Sequence, residues 1–289
     1  MSVSPSRAEL LAALRSGKTW DVVIIGGGAS GLGAAVDAAA RGYSTVLLER
    51  GDYACGTSSR STKLIHGGVR YLRQGDIGLV RHALAERSRL LVNAPHLVHA
   101  LPFVIPARSA IQRLYYGAGL KLYDLLAGAS SLQSSRLLDR EETLAALPGL
   151  DPLGVAGGIR YWDAQFDDAR LAIALMRTAT EFGAVCLNYS PVAGLLQAKG
   201  RVCGVAACDA ESGESFEIQA RAVINSTGVY ADAVRRFEQP DSAPILSPSQ
   251  GVHLVLDAGF LPGGTALMIP DTTDGRVMFA IPWQGKVLL

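Results

Sequence analysis

The stretch that decides the fold runs from Trp20 to Glu49, WDVVIIGGGASGLGAAVDAAARGYSTVLLE. Trp20 to Ile25 is a short β-branched run that stops at three glycines, the pattern of a buried strand. Ala29 to Arg41 is dense in alanine and ends at Gly42, which predicts a helix with a small-residue face pressed on a sheet. Ser44 to Leu48 reads as a second strand. Strand, glycine turn, helix and strand within about 30 residues make a βαβ unit whose two strands run parallel. At the first junction, Gly26-Gly-Gly28-Ala-Ser-Gly31 is G-x-G-x-x-G. Gly26 permits the tight turn, Gly28 lets a pyrophosphate approach the backbone, and Gly31 lets helix and strand pack closely. Glu49 ends the second strand 18 residues after Gly31, where a carboxylate accepts ribose hydroxyls. An acid there argues against a 2′-phosphate, so the reading is an unphosphorylated dinucleotide.

Working outward, Ser6 to Arg15 is a helical lead. Ile77, Val80, Leu84 and Leu91 share a helix face that Asp76 caps, with Arg81, Glu86 and Arg89 toward solvent. Leu171, Leu175 and Phe182 repeat that pattern between Asp167 and Gly183. From 192 to 220, three β-like runs separated by Lys199-Gly200 and Ser212-Gly213 predict an antiparallel meander. Ala222 to Asn225 is expected as another buried strand, ending at Ser226-Thr-Gly228.

With 49% hydrophobic and 18% charged residues the chain is too apolar to be disordered. Its 27 basic against 26 acidic residues leave a net charge of +1, without the electrostatic footprint of a nucleic-acid binder. Cys55, Cys186, Cys203 and Cys208 form no CxxC pair and no zinc pattern, which predicts reduced thiols and a cytoplasmic setting. The lead lacks the apolar core of a secretory signal, and no apolar run reaches the roughly 20 residues of a membrane span.

After Glu49 the chain leaves the βα pattern for Cys55-Gly-Thr-Ser-Ser-Arg-Ser-Thr-Lys-Leu-Ile-His-Gly-Gly68, crowded with hydroxyls, a lysine and paired glycines. These suit a pyrophosphate and a flat ring, and favour FAD over NAD. Together with Val69-Arg-Tyr-Leu72, Ala85-Glu-Arg87, Asp163 through Leu171, Asn225-Ser-Thr-Gly228, Gly251-Val-His253 and Ile281-Pro-Trp283, this segment resembles the FAD-dependent glycerol-3-phosphate dehydrogenases, in the broad flavoprotein class of D-amino-acid oxidase. The resemblance runs from about residue 20 to 289.

That resemblance implies oxidation of sn-glycerol 3-phosphate to dihydroxyacetone phosphate, hydride passing from C2 to the flavin and electrons on to a quinone. It implies that Gly26, Gly28, Gly31 and Glu49 hold the ADP part, and that Thr57, Ser58, Ser61, Lys63, Leu64, His66, Gly67 and Gly68 line the pyrophosphate and isoalloxazine. Val192 meets adenine, and Thr227 with Gly228 closes the second junction. Arg70 and Tyr71 hold the substrate, Arg70 by gripping phosphate bidentately, and His253 is the candidate base for the C2 hydroxyl. On the residues alone, Arg70 reads also as an ordinary ion-pair cation, Tyr71 as core, and His66 and His253 as structural histidines. Asp163 and Asp167 look like acid–base carboxylates, Asp167 more as a helix cap.

The expected fold class is α/β: a Rossmann-like FAD domain with a parallel sheet, helices and antiparallel meander, from 19–95 and 167–238, plus a β-rich substrate cap domain from 96–166 and 239–289, after a lead of 1–18. The cap is expected to be incomplete, because the chain stops at Gly285-Lys-Val-Leu-Leu289 in what looks like a strand, where family members continue. An abruptly ended strand with an open edge predicts weak or absent activity for this chain. Arg108 to Leu132 reads either as an amphipathic helix on a membrane or as a helix covering the cap sheet, the latter favoured. The expected location is cytoplasmic, peripheral on the inner face of the membrane, with no nucleic-acid partner. A related oxidase or dehydrogenase of amines or 2-hydroxy acids, or a non-catalytic flavin-binding remnant, stands as an alternative.

Overall fold

The computed structural model describes residues 5–68, 71–72, 74–128, 131–272 and 275–289. In chain order its helices and strands are α1 (Arg7–Leu14), β1 (Trp20–Ile25), α2 (Ala29–Ala40), β2 (Thr45–Leu48), β3 (Leu64–Ile65), α3 (Ile77–Asn93), β4 (Val98–Ala107), α4 (Ala110–Ala127), β5 (Arg136–Leu138), α5 (Arg140–Ala146), β6 (Gly157–Phe166) and α6 (Asp168–Glu181). There follow β7 (Val185–Leu187), β8 (Val192–Ala198), β9 (Arg201–Cys208), β10 (Ser215–Asn225), α7 (Ala231–Arg235), β11 (Val255–Asp257), β12 (Ala266–Ile269), β13 (Met278–Trp283) and β14 (Lys286–Leu288). Two compact units alternate along the chain, one from Met1–Ser61 and Asp168–Gln250, the other from Thr62–Asp167 and Gly251–Leu289.

The first unit holds a six-stranded sheet in the order β7-β2-β1-β10-β9-β8. β1 pairs in parallel with both β2 and β10, as the βαβ reading requires of its first two strands. Side chains alternate across β1: Val23 and Ile25 enter one apolar cluster with Leu14, Val205 and Phe216, while Ile24 enters the other with Leu32, Ala35 and Ala39 of α2 and Ala172 and Ala179 of α6. Both faces are therefore buried, which is why the run is continuously apolar. The alanines let α2 lie close to the strands, and Gly42, at φ +84°, releases the chain after the helix.

One expectation about the meander is corrected. Residues 215–225 are a single strand, antiparallel to β9 through Gln219 and parallel to β1 from Ala220 onward. Its parallel half is largely exposed rather than buried, Ile224 retaining 38% of its surface.

The second unit holds an eight-stranded sheet with the path β11-β14-β13-β12-β4-β6-β3 and β5 attached to β6. Leu101, Phe103, Ile105, Ile159 and Tyr161 on one face pack under Val80 and Leu84 of α3 and Leu120 and Tyr123 of α4. The expected domain boundary therefore differs from the observed one: residues 62–95 join this unit because α3 buries its apolar face on this sheet. The open edge expected at the chain end is not found either, since β14 pairs with β13 on one side and β11 on the other, and Leu254 and Leu289 exchange backbone hydrogen bonds. α4 covers the sheet as favoured, yet its opposite face is also apolar, leaving Ile111, Leu114, Tyr115 and Leu125 between 62% and 83% exposed. No helix among the described residues is long and apolar enough to cross a membrane.

Candidate functional site

A cavity of about 610 Å³ in the first unit opens where β1, β2 and β10 end. Gly26, Gly28, Glu49, Thr57, Ser58, Val192, Thr227 and Gly228 all line it, so sequence positions as distant as 26 and 228 converge. The glycines are required by the geometry. A Cβ on Gly31 would fall on the Gly26 carbonyl oxygen, and one on Gly26, whose φ is +112°, would lie 2.5 Å from the carbonyl oxygen of Ser226. Gly28 is the N-cap of α2 and carries no side chain, so it makes no side-chain cap hydrogen bond where the helix start borders the cavity.

Glu49 is buried and its carboxylate is already oriented. Oε2 accepts the Gly27 N–H at 2.6 Å and Oε1 accepts the Gly51 N–H at 2.9 Å. Ser58 Oγ accepts the Ala29 N–H at 2.9 Å, tying the hydroxyl-rich loop to the start of α2. Ser61 differs from the expectation of a cofactor contact. Its hydroxyl donates to Asp168 Oδ2 at 2.7 Å, at the start of α6, and it does not line the cavity. Residues missed in the sequence include Tyr230 and Arg50, whose guanidinium lies 3.8 Å from the Tyr230 ring centroid. Arg50 follows Glu49 directly, which was the available signal.

A second cavity, of about 340 Å³, lies within the second unit and is lined by Leu64, His66, Gly68, Tyr71, Asp163 and Arg276 among others. Lys63 has φ +61°, and its Nζ stands 5.9 Å from the Trp283 ring centroid, outside the cavity lining. Gly67 is buried, and a Cβ there would meet the Tyr123 hydroxyl at 2.7 Å. Arg70 lies outside the described residues. His253 is exposed on the segment before β11 and does not line this cavity.

At the cavity wall Asp163 belongs to a buried ionic group whose pairing the sequence did not reveal. Arg87 and Asp163 are 1% and 2% exposed and pair at 2.7 Å. The Tyr123 hydroxyl lies 3.0 Å from both Asp163 oxygens. Burial pushes the Asp163 carboxyl above its usual range, against the pull of Arg87, His66 and Tyr123. Burial and the Asp163 charge push the Tyr123 phenol well above 10. Arg87 lies on α3 one turn beyond Leu84 and two beyond Val80, so its i, i+4, i+7 spacing was the missed signal. Among the described residues no group of His, Cys, Asp or Glu could hold a metal ion.

The sequence pattern of the FAD dependent oxidoreductase family (DAO) fits residues 21–289. The chain belongs to this family. FAD is thus its cofactor, and the first-unit cavity fits the group: a glycine turn packed too tightly to admit a Cβ at Gly26 or Gly31, a helix start bordering the cavity with no capping side chain on Gly28, and a carboxylate oriented by two backbone amides. Among relatives of this FAD dependent oxidoreductase, the mitochondrial glycerol-3-phosphate dehydrogenase of Homo sapiens is 44% identical over 98% of the chain and 41% of its own length. The corresponding protein of Arabidopsis thaliana is 42% identical over 99% of the chain and 48% of its own length. The chain thus spans less than half of these relatives. Among solved structures, the glycerol-3-phosphate dehydrogenase from Bacillus halodurans, complexed with FAD, matches all of this chain and 50% of its own, with a TM-score of 0.75 at 31% identity. L-proline dehydrogenase from P. horikoshii, at 17% identity and a TM-score of 0.71, shares the fold.

Proposed function

We propose that this chain is the FAD-holding part of an enzyme that oxidises sn-glycerol 3-phosphate to dihydroxyacetone phosphate. The observation that carries the substrate is the 44% identity over 98% of the chain to a relative named for it. In the first unit, Gly26, Gly28 and Gly31 with the α2 amides take the pyrophosphate, Glu49 the ribose hydroxyls and Val192 the adenine side. When bound, FAD supplies the acceptor for the hydride leaving C2.

In the second unit, Tyr71 and Arg276, with Arg70, hold the phosphate. A guanidinium meets two phosphate oxygens at once, and this fixes which carbon is presented. His66 Nδ1 accepts the Gly68 N–H at 3.1 Å, so in the neutral ring the proton sits on Nε2. His66 is therefore a donor in this cavity, and His253, exposed before β11, stands outside the lining that would meet the C2 hydroxyl. The reading extends to a quinone as electron acceptor and to a peripheral position on the inner face of the cytoplasmic membrane, supported by the exposed apolar face of α4.

An anaerobic visible spectrum of the purified chain, before and after glycerol 3-phosphate, tests the proposal. Bleaching of the flavin bands is the expected result. A yellow protein that glycerol 3-phosphate leaves unchanged overturns the substrate, and a colourless one that takes up no added FAD overturns the cofactor role of this segment.

A further inference from the structure

The buried Arg87–Asp163–Tyr123 group ends on the backbone that lines the second cavity. Gly67 N–H donates to the Tyr123 hydroxyl at 2.7 Å. That bond occupies the oxygen as an acceptor, so the single phenolic proton is directed at Asp163. Arg87 donates to the same carboxylate, and its Nη1 also lies 3.4 Å from the Trp162 carbonyl. The chain of donors therefore has one direction: Gly67 N–H to Tyr123, and Tyr123 O–H and Arg87 N–H to Asp163.

The next amide, Gly68 N–H, donates to His66 Nδ1. Gly68 has φ +71°, a left-handed conformation, and Gly67 lies so close to Tyr123 and Leu84 that a Cβ there would collide with both, so only glycine fits these two positions. Two consecutive amides are each hydrogen-bonded, Gly67 N–H to the Tyr123 hydroxyl and Gly68 N–H to the His66 ring. Asp163 and His66 both line the cavity.

We propose that Arg87, Asp163 and Tyr123 are positioning residues that fix the Gly67–Gly68 peptides and thereby hold His66 with Nδ1 as acceptor and Nε2–H as the donor offered to the cavity. Its catalytic consequence rests on the glycerol 3-phosphate reading; its structural content does not. A purely packing role would require the volume of Tyr123 but not its hydroxyl. This role requires the hydroxyl, because only oxygen can accept from Gly67 while donating to Asp163.

The test uses Tyr123→Phe in the full 289-residue chain with FAD. Ring nitrogen-15 NMR of the histidines, with His66→Gln identifying the signal, reads the tautomer directly. The native chain is expected to show His66 as the Nε2–H form, and Tyr123→Phe a mixture of tautomers. An unchanged tautomer in Tyr123→Phe overturns the proposal.

A kinetic arm separates this from the substrate reading. If glycerol 3-phosphate bleaches the native flavin, Tyr123→Phe should bind FAD within about twofold of native but be reduced roughly 10- to 100-fold more slowly, with a shifted pH profile of the rate. Native-like reduction with an unshifted profile overturns the catalytic consequence. No bleaching of the native flavin overturns the substrate assignment and leaves the NMR result to decide the positioning role. Should Tyr123→Phe fail to fold, Arg87→Lys retains the cation while loosening its hold on Asp163. A shifted His66 tautomer in Arg87→Lys then supports the positioning role, and an unchanged one overturns it.

Discussion

Glu49 Oε2 accepts the backbone N–H of Gly27 at 2.6 Å, joining the acid at the end of β2 to the glycine turn at the end of β1. The carboxylate that meets the ribose therefore also holds the turn that meets the pyrophosphate. Glu49→Gln turns one acceptor into a donor facing an amide. The expected loss is about 1.5–3 kcal/mol of FAD binding, roughly a ten- to hundredfold weaker Kd, read by flavin fluorescence titration. An unchanged Kd would remove Glu49 from the cofactor site.

Gly31→Ala places a methyl group on the Gly26 carbonyl oxygen, a backbone atom that cannot swing aside. Overpacking of this kind costs about 1–3 kcal/mol or more. The variant should melt several degrees lower and retain little FAD, whereas Gly33→Ala, with nothing within 4 Å of its added Cβ, should behave as native. Thermal unfolding followed with flavin absorbance distinguishes the two.

Acid stability depends on the lead helix. Arg7 of α1 pairs with Asp209, which also accepts from Ser212 Oγ at 2.7 Å. Hydrogen bonds from Ser212 and Arg7 hold the Asp209 carboxyl down to about 2. A carboxyl lowered in the folded state stabilises the fold above its unfolded value, near 3.9, and loses that contribution as pH falls toward 2. Asp209→Asn should cost about 1–3 kcal/mol at neutral pH. Its urea midpoint should converge with the native one between about pH 4 and 2, and a constant gap across that window would contradict the assignment.

The exposed face of α4 gives a surface test. Leu114→Glu with Leu125→Glu changes side chains that are mostly exposed, so thermal stability should stay within about 0.5 kcal/mol of native. Co-sedimentation with anionic vesicles should fall severalfold if this face meets the membrane. Equal sedimentation of native and variant chains would remove α4 from that role.

The βαβ unit was legible because strand burial, helix packing and the glycine turn each left a separate mark between Trp20 and Glu49. The halves of β10 were read apart because the hydrophobic pattern breaks at Arg221, where the strand passes from an antiparallel neighbour to a parallel one. Ser61 carried the right residue type for a phosphate contact, but only the fold shows that Asp168 takes its hydroxyl. Arg87 was hidden because a charged residue on an apolar helix face is ordinarily discounted, and its partner lies on β6. The Arg87–Asp163 pairing is a long-range fact that periodicity does not encode.

The pairing of Trp20 with Ala220 has a temporal side as well. The central strand of the first unit has one neighbour, β2, close behind it in the chain, but must wait for the whole of Thr62–Asp167 of the second unit to be synthesised before β10 arrives. During that interval a strand edge rich in valine and isoleucine stands open. Nascent chains should thus be most dependent on chaperones before β10 leaves the ribosome, and folding should be slow for a chain of this length.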